Sequence, residues 1–156
     1  MGLFSRKKRT INLFAPVSGD LIAIEKVDDE VFSSKALGEG FAIKPTNGDV
    51  YSPIEGTVTS VFPTKHAISL KTKDKLEVLV HLGIDTVELN GKGFETFVQE
   101  GDTVTESTKL VNVDLDYLVK EKKASDVMVI FTNLDQRKLV YNEGSVAQGD
   151  SVGHIE

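Results

Sequence analysis

His66-Ala67-Ile68-Ser69-Leu70-Lys71 and Leu76-Glu77-Val78-Leu79-Val80-His81, separated by Thr72-Lys73-Asp74-Lys75, read as two strands of a β-hairpin. With Lys73 and Asp74 at the centre of a tight turn, the antiparallel ladder sets His66 opposite His81 and Ile68 opposite Leu79. Residues directly opposite share a face with Cβ atoms about 4.5–5.5 Å apart, so the two imidazoles are expected to touch beside apolar surface. A loop one residue longer or shorter would break this register.

The same grammar extends outward. Turn signals recur at Pro16–Asp20, Asn47–Asp49, Pro53–Gly56, Asn90–Gly93, Gly101-Asp102, Asn142–Gly144 and Gly149-Asp150, with short Val, Ile, Thr and Phe runs between them. This is the pattern of an all-β antiparallel sandwich or barrel. Val127-Met128-Val129-Ile130-Phe131 is apolar on both alternating faces and reads as a core strand. One helix is expected, from Asp114 as cap to about Lys122, with Leu115, Leu118 and Val119 on one face. Two segments repeat. Ala15-Pro16-Val17-Ser18-Gly19-Asp20-Leu21-Ile22 matches Ser52-Pro53-Ile54-Glu55-Gly56-Thr57-Val58-Thr59, and Glu100-Gly101-Asp102-Thr103-Val104 matches Gln148-Gly149-Asp150-Ser151-Val152. Each is a glycine turn opening into a strand, which predicts duplicated hairpin motifs.

Composition narrows the function. At 156 residues with 40% hydrophobic content the chain fits one domain, expected over 12–156 behind a flexible basic tail, 1–11. There is no cysteine, hence no disulfide, thiolate metal site or cysteine nucleophile. The longest apolar stretch, Leu76–Ile84, is interrupted by Glu77 and His81 and is far short of the roughly 20 residues of a membrane helix. No secretory signal is legible, so a cytoplasmic location is expected. All 24 acidic residues follow position 9, and residues 10–156 carry 14 basic side chains against them. That balance argues against nucleic acid and favours a basic protein partner. The Arg6-Lys7-Lys8-Arg9 cluster beside Leu3 and Phe4 suits at most a weak contact with anionic lipid.

The paired histidines suit phosphoryl capture. A neutral imidazole is a nucleophile, a second imidazole can donate to phosphoryl oxygens, and an apolar rim keeps water from a labile nitrogen–phosphorus bond. Two histidines on adjacent strands could instead each give a ligand to zinc, with no obvious third ligand in the sequence. Other readings stand beside these. A biotinyl or lipoyl carrier would use Lys73 at the hairpin tip, a metallopeptidase would need a His-x-His pair that does not occur, and a pure binding module would use neither histidine covalently.

Phe62-Pro63-Thr64-Lys65-His66-Ala67-Ile68 and Val80-His81-Leu82-Gly83-Ile84-Asp85-Thr86-Val87-Glu88-Leu89 resemble the signature of the glucose-type IIA family of the bacterial sugar phosphotransferase system. Gly38–Pro45 and Gly91–Glu95 match it as well, and the resemblance covers roughly 12–155. It implies a β-sandwich of duplicated hairpins, and a carrier that takes phosphoryl from HPr on His81 and hands it to a cysteine of a IIB domain on another chain. It further implies that His66 stabilises the phosphoryl group, that Thr64 hydrogen-bonds His66, that Asp85 lies near the site and that Asp29 pairs with a basic residue of HPr. Val31, Phe32, Leu37, Phe62 and Leu79 would form the apolar docking rim, with Glu30 standing where many members carry an aliphatic residue. No cofactor is required by this reading, although His66 and His81 could bind regulatory or adventitious zinc. Regulatory binding of permeases or glycerol kinase is known in the family.

Overall fold

Fourteen short strands alternate with turns along the chain in the computed structural model, which describes residues 10–156. They are β1 Ile11–Phe14, β2 Gly19–Ala23, β3 Glu39–Pro45, β4 Asp49–Tyr51, β5 Gly56–Val61, β6 Ala67–Lys71 and β7 Glu77–Leu82, followed by β8 Phe94–Thr96, β9 Thr103–Val104, β10 Lys109–Val113, β11 Val127–Phe131, β12 Leu139–Tyr141, β13 Gly144–Val146 and β14 Ser151–Ile155. Two short α-helices, α1 Glu30–Ser33 and α2 Leu115–Lys120, and two single 3-10 turns, Ile24–Lys26 and Thr86–Leu89, complete the fold. Of the tail expected over 1–11, residues 1–9 lie outside the described residues, and Ile11 already pairs with Ile155.

Every pairing is antiparallel. An eight-stranded sheet in the order β13-β2-β3-β11-β7-β6-β5-β9 faces two three-stranded sheets, β1-β14-β12 and β4-β10-β8. The main core lies between them, with Leu21, Phe41, Ile43, Val78, Val80, Val127, Val129 and Phe131 from one side and Leu13, Val50, Leu110, Val111 and Ile155 from the other. A second, smaller core sits on the outer face of the large sheet. There Ile22, Ala42, Met128 and Ile130 are roofed by Ile24, Val27 and Phe32, with Leu79 packed alongside. β11 is therefore covered on both faces, which explains its unbroken apolar run.

The duplication is visible in individual hydrogen bonds. Phe14 N–H donates to the Pro53 carbonyl at 2.9 Å, and Tyr51 N–H, its counterpart, donates to the Pro16 carbonyl at 2.7 Å. The second repeat closes identical turns: the Asp102 carboxylate accepts from Gln99 N–H at 2.9 Å, and the Asp150 carboxylate from Ala147 N–H at 2.8 Å. Gly19 and Gly56 open equivalent strands against backbone so close that a Cβ would lie 2.1 Å from the Lys44 carbonyl oxygen and 2.3 Å from that of Lys71.

The hairpin departs from expectation by one position. β6 and β7 pair Ala67 with His81, Ile68 with Val80 and Ser69 with Leu79, so His66 is not opposite His81. The loop spans Thr72 to Leu76, closed by Thr72 N–H to the Leu76 carbonyl at 2.9 Å and Leu76 N–H to Thr72 Oγ1 at 3.1 Å. This register sets Ile68 opposite Val80 and Leu70 opposite Val78, all buried in the main core, and Lys75 supplies the left-handed residue at φ 66° that the three-residue loop Lys73–Lys75 requires. Ile68 accordingly packs into the main core. The expected helix is present as α2, with the Asp114 carboxylate accepting from Tyr117 N–H. Leu118 is buried but Val119 is exposed, because residues adjacent in a helix do not share a face.

Gly56→Ala is expected to lower unfolding free energy by about 1–3 kcal/mol, the usual cost of forcing a methyl into packed backbone. Urea denaturation measures it, and an unchanged midpoint would contradict the close strand contact.

Candidate active site

β7 alternates. Val78, Val80 and Leu82 point into the main core, and Leu79 and His81 point out onto the second core. On that outer face His81 has Ala67 beside it on β6 and Met128 on β11, both buried. Phe32 closes a third side, its ring centroid 4.8 Å from that of His81. Phe32 is held there by α1, which Asp29 caps by accepting a hydrogen bond from Val31 N–H at 2.9 Å.

His66 arrives from outside the ladder. Lys65 N–H donates to the Phe62 carbonyl at 2.7 Å, Lys65 takes a left-handed backbone at φ 59°, and Leu82 N–H donates to the His66 carbonyl at 2.7 Å. The chain thus turns sharply before β6, and the His66 ring meets that of His81 edge-on, centroids 5.1 Å apart at 78°. The two rings meet as expected, through a turn rather than through facing strand positions. Phe62 packs edge-on against His66 at 5.5 Å, and Thr64 Oγ1 lies 2.5 Å from His66 Nδ1.

The hydrogen bond at His81 decides its chemistry. Nδ1 lies 2.9 Å from the Gly83 carbonyl oxygen, which can only accept, so Nδ1 carries the proton and Nε2 keeps its lone pair. Burial, reinforced by the adjacent His66, pushes the His81 pKa down to about 4, against the opposing pull of the Gly83 carbonyl and the Asp29 charge. Burial also lowers His66. Both rings are neutral at neutral pH.

Of the residues expected at an apolar rim, Val31 is 51% and Leu37 41% exposed, and Phe62 and Leu79 are half-buried. Phe32 is buried, so it forms the wall of the site and not its rim. Asp85 is exposed in a left-handed conformation at φ 60°, at the start of the 86–89 turn. Val87 in that turn is a 49% exposed apolar side chain that was not singled out from the sequence. Gly83 was also missed. Its signal is a glycine two residues after the histidine, at φ 79° with no room for a Cβ. His154 lies in β14, 2.9 Å from Glu156 and paired with Asn12 and Val140. Among the described residues no group of three or more His, Cys, Asp or Glu could hold a metal ion, and no helix is long and apolar enough to cross a membrane.

Residues 11–137 match the family model described as phosphoenolpyruvate-dependent sugar phosphotransferase system, EIIA 1. The chain is 44% identical over 154 residues to a glucose-specific EIIA component of Staphylococcus epidermidis, covering 96% of this chain and 93% of the relative. It is 45% identical over 141 residues to a glucose-specific EIICBA component of Staphylococcus carnosus, covering 90% of this chain and 21% of that longer protein. The glucose permease IIA structure from Mycoplasma capricolum superposes with a TM-score of 0.88 at 40% identity, over 94% of this chain and 96% of that one.

Between pH 6.5 and about 4 the unfolded chain binds a proton at His81 that the folded chain refuses. Stability therefore falls as pH drops through this window, by at most about 1.4 kcal/mol per pH unit from this group. His81→Gln is expected to flatten that slope, and the His81 ring resonances to titrate with a midpoint below pH 5 by NMR. A midpoint near 6.5 would contradict the burial argument.

Proposed function

This chain belongs to the EIIA 1 family of the phosphoenolpyruvate-dependent sugar phosphotransferase system, and from that premise we propose that His81 accepts the phosphoryl group on Nε2 while His66 and Thr64 steady it. Members of this family are phosphocarriers in sugar uptake and work with HPr and IIB domains. The observation that carries the assignment to His81 is the Nδ1 hydrogen bond to the Gly83 carbonyl, which leaves Nε2 as the free nucleophile.

In the accepting step the Nε2 lone pair forms the bond to phosphorus. The nitrogen–phosphorus bond of phospho-HPr breaks, and its electron pair stays with the donor nitrogen. Positive charge develops across the His81 ring, where the Gly83 carbonyl facing Nδ1–H stabilises it. With the Thr64 hydroxyl donating to Nδ1 of His66, that ring carries its proton on Nε2 and donates it toward a phosphoryl oxygen. In the second step a IIB cysteine thiolate bonds phosphorus, and the pair returns to Nε2. These 156 residues contain no cysteine, so the acceptor lies outside them.

The apolar floor of Ala67, Met128 and Phe32 keeps water from the phosphorylated nitrogen. HPr would dock on Val31, Leu37, Phe62, Leu79 and Val87, with Asp29 and Asp85 meeting its basic groups, and the IIB domain would use the same face in turn. The regulatory targets implied by the family resemblance, permeases or glycerol kinase, would compete for it. Zinc could be held by the two Nε2 atoms if the His66 proton moved to Nδ1, with Thr64 Oγ1 then accepting it, and a bound partner supplied further ligands.

Incubation with phosphoenolpyruvate, Enzyme I and HPr is expected to add an acid-labile mass of about 80 Da, one phosphoryl group. His81→Ala should abolish the gain, and His66→Ala should slow the relay from HPr to IIB by about 100-fold, the scale of losing one donor to developing charge. Intact mass and a coupled uptake assay read the two effects. A full mass gain in His81→Ala would overturn the assignment.

A further inference from the structure

The carbonyl that fixes the His81 tautomer belongs to a turn held from two sides. On one side, Gly83 N–H donates to the Asp126 carbonyl at 2.8 Å and Ile84 N–H to the Ala124 carbonyl at 3.1 Å, tying the turn to the segment that enters β11. On the other side stands Thr86, fully buried. Its hydroxyl donates to the Leu82 carbonyl at 2.5 Å, one peptide before Gly83. Its methyl lies against Gly83, 2.5 Å from where a Cβ at that position would be.

A valine would fill the same space, so packing alone does not call for a buried hydroxyl there. Among the buried polar residues, Ser52 and Thr72 close turns of their own and Asp126 pairs with Lys44. The Thr86 hydroxyl is spent on the peptide that aims the Gly83 carbonyl.

We propose that Thr86 is a positioning residue for phosphoryl transfer: by holding the Leu82 carbonyl and supporting Gly83 from below, it keeps the Gly83 carbonyl on the Nδ1 proton of His81 and so keeps Nε2 free. The proposal rests on the reading of His81 Nε2 as the acceptor. Without a fixed acceptor at Nδ1, a neutral imidazole is free to carry its proton on Nε2, and a ring in that form has no lone pair to offer there. Loosening the turn therefore removes nucleophile without removing the histidine.

The test compares Thr86→Val, Thr86→Ser and wild type by two readouts: the ¹⁵N shifts of the His81 ring in unphosphorylated protein, and acceptance rates from phospho-HPr. Thr86→Val is expected to fold, to move a measurable share of His81 into the Nε2–H form, and to lower the maximal acceptance rate about tenfold with KM for HPr unchanged, as for loss of one positioning hydrogen bond. Thr86→Ser, which keeps the hydroxyl, is expected to restore tautomer and rate together. A wild-type tautomer and rate in Thr86→Val would overturn the proposal, and so would equal loss of rate in Val and Ser variants with the tautomer unmoved. Should Thr86→Val fail to fold, Thr86→Ala against Thr86→Ser makes the same comparison. The tautomer measurement needs no phosphorylation, so it decides the role of Thr86 even if wild type gains no phosphoryl group.

Discussion

The hydrogen bond from His81 Nδ1 to the Gly83 carbonyl joins the fold to its chemistry. A phosphoryl-carrying imidazole has to be neutral, shielded from water and presented by one chosen nitrogen. Burial on the outer face of the large sheet supplies the first two conditions, and lowers the pKa far enough that no proton competes with phosphorus at neutral pH. The carbonyl supplies the third. In the proposed transfer it then faces the ring as charge develops, so one bond would serve the resting tautomer and the transition state alike.

That bond depends on a sheet built to be covered on both faces at its centre. β11 and β7 carry the main core on one side and the second core on the other. His81 therefore sits between Ala67 and Met128 on rigid, fully paired strands, with only the Phe32 roof and the His66 turn completing it. The duplication contributes the frame: two equivalent glycine turns cross-bond through Phe14, Pro53, Tyr51 and Pro16 and leave the histidine hairpin in the middle of the sheet. His81 is placed on a strand, and the proposed docking groups Val31, Leu37, Asp85 and Val87 on turns and a short helix, where they can change with the partner.

Much of this was legible in the sequence. The all-β class, the two repeats, the buried Val127–Phe131 strand and the Asp114 cap each rest on a local signal of period 2 or of turn chemistry, and each stands in the fold. The register of the histidine hairpin was not, because Thr72-Lys73-Asp74-Lys75 lacks the Asn-Gly type of signal that fixes a two-residue turn. The match of Ile68 and Leu70 to Val80 and Val78 across the ladder goes with the observed register, and their burial together is a property of the whole core. The His66–His81 contact survived because a second local feature, the left-handed Lys65, swings His66 back toward its partner. Thr64, named through the family resemblance, lies against His66 Nδ1. Gly83 and Thr86 stood in plain view in the signature, but their roles run through backbone carbonyls, which residue identity does not display.

The most direct measurement is ¹⁵N–³¹P coupling in the phosphorylated protein, which identifies the nitrogen bonded to phosphorus. The geometry predicts phosphorus on Nε2 of His81 with Nδ1 still protonated and bonded to the Gly83 carbonyl. Phosphorus on Nδ1 of His81, or on either nitrogen of His66, would contradict it.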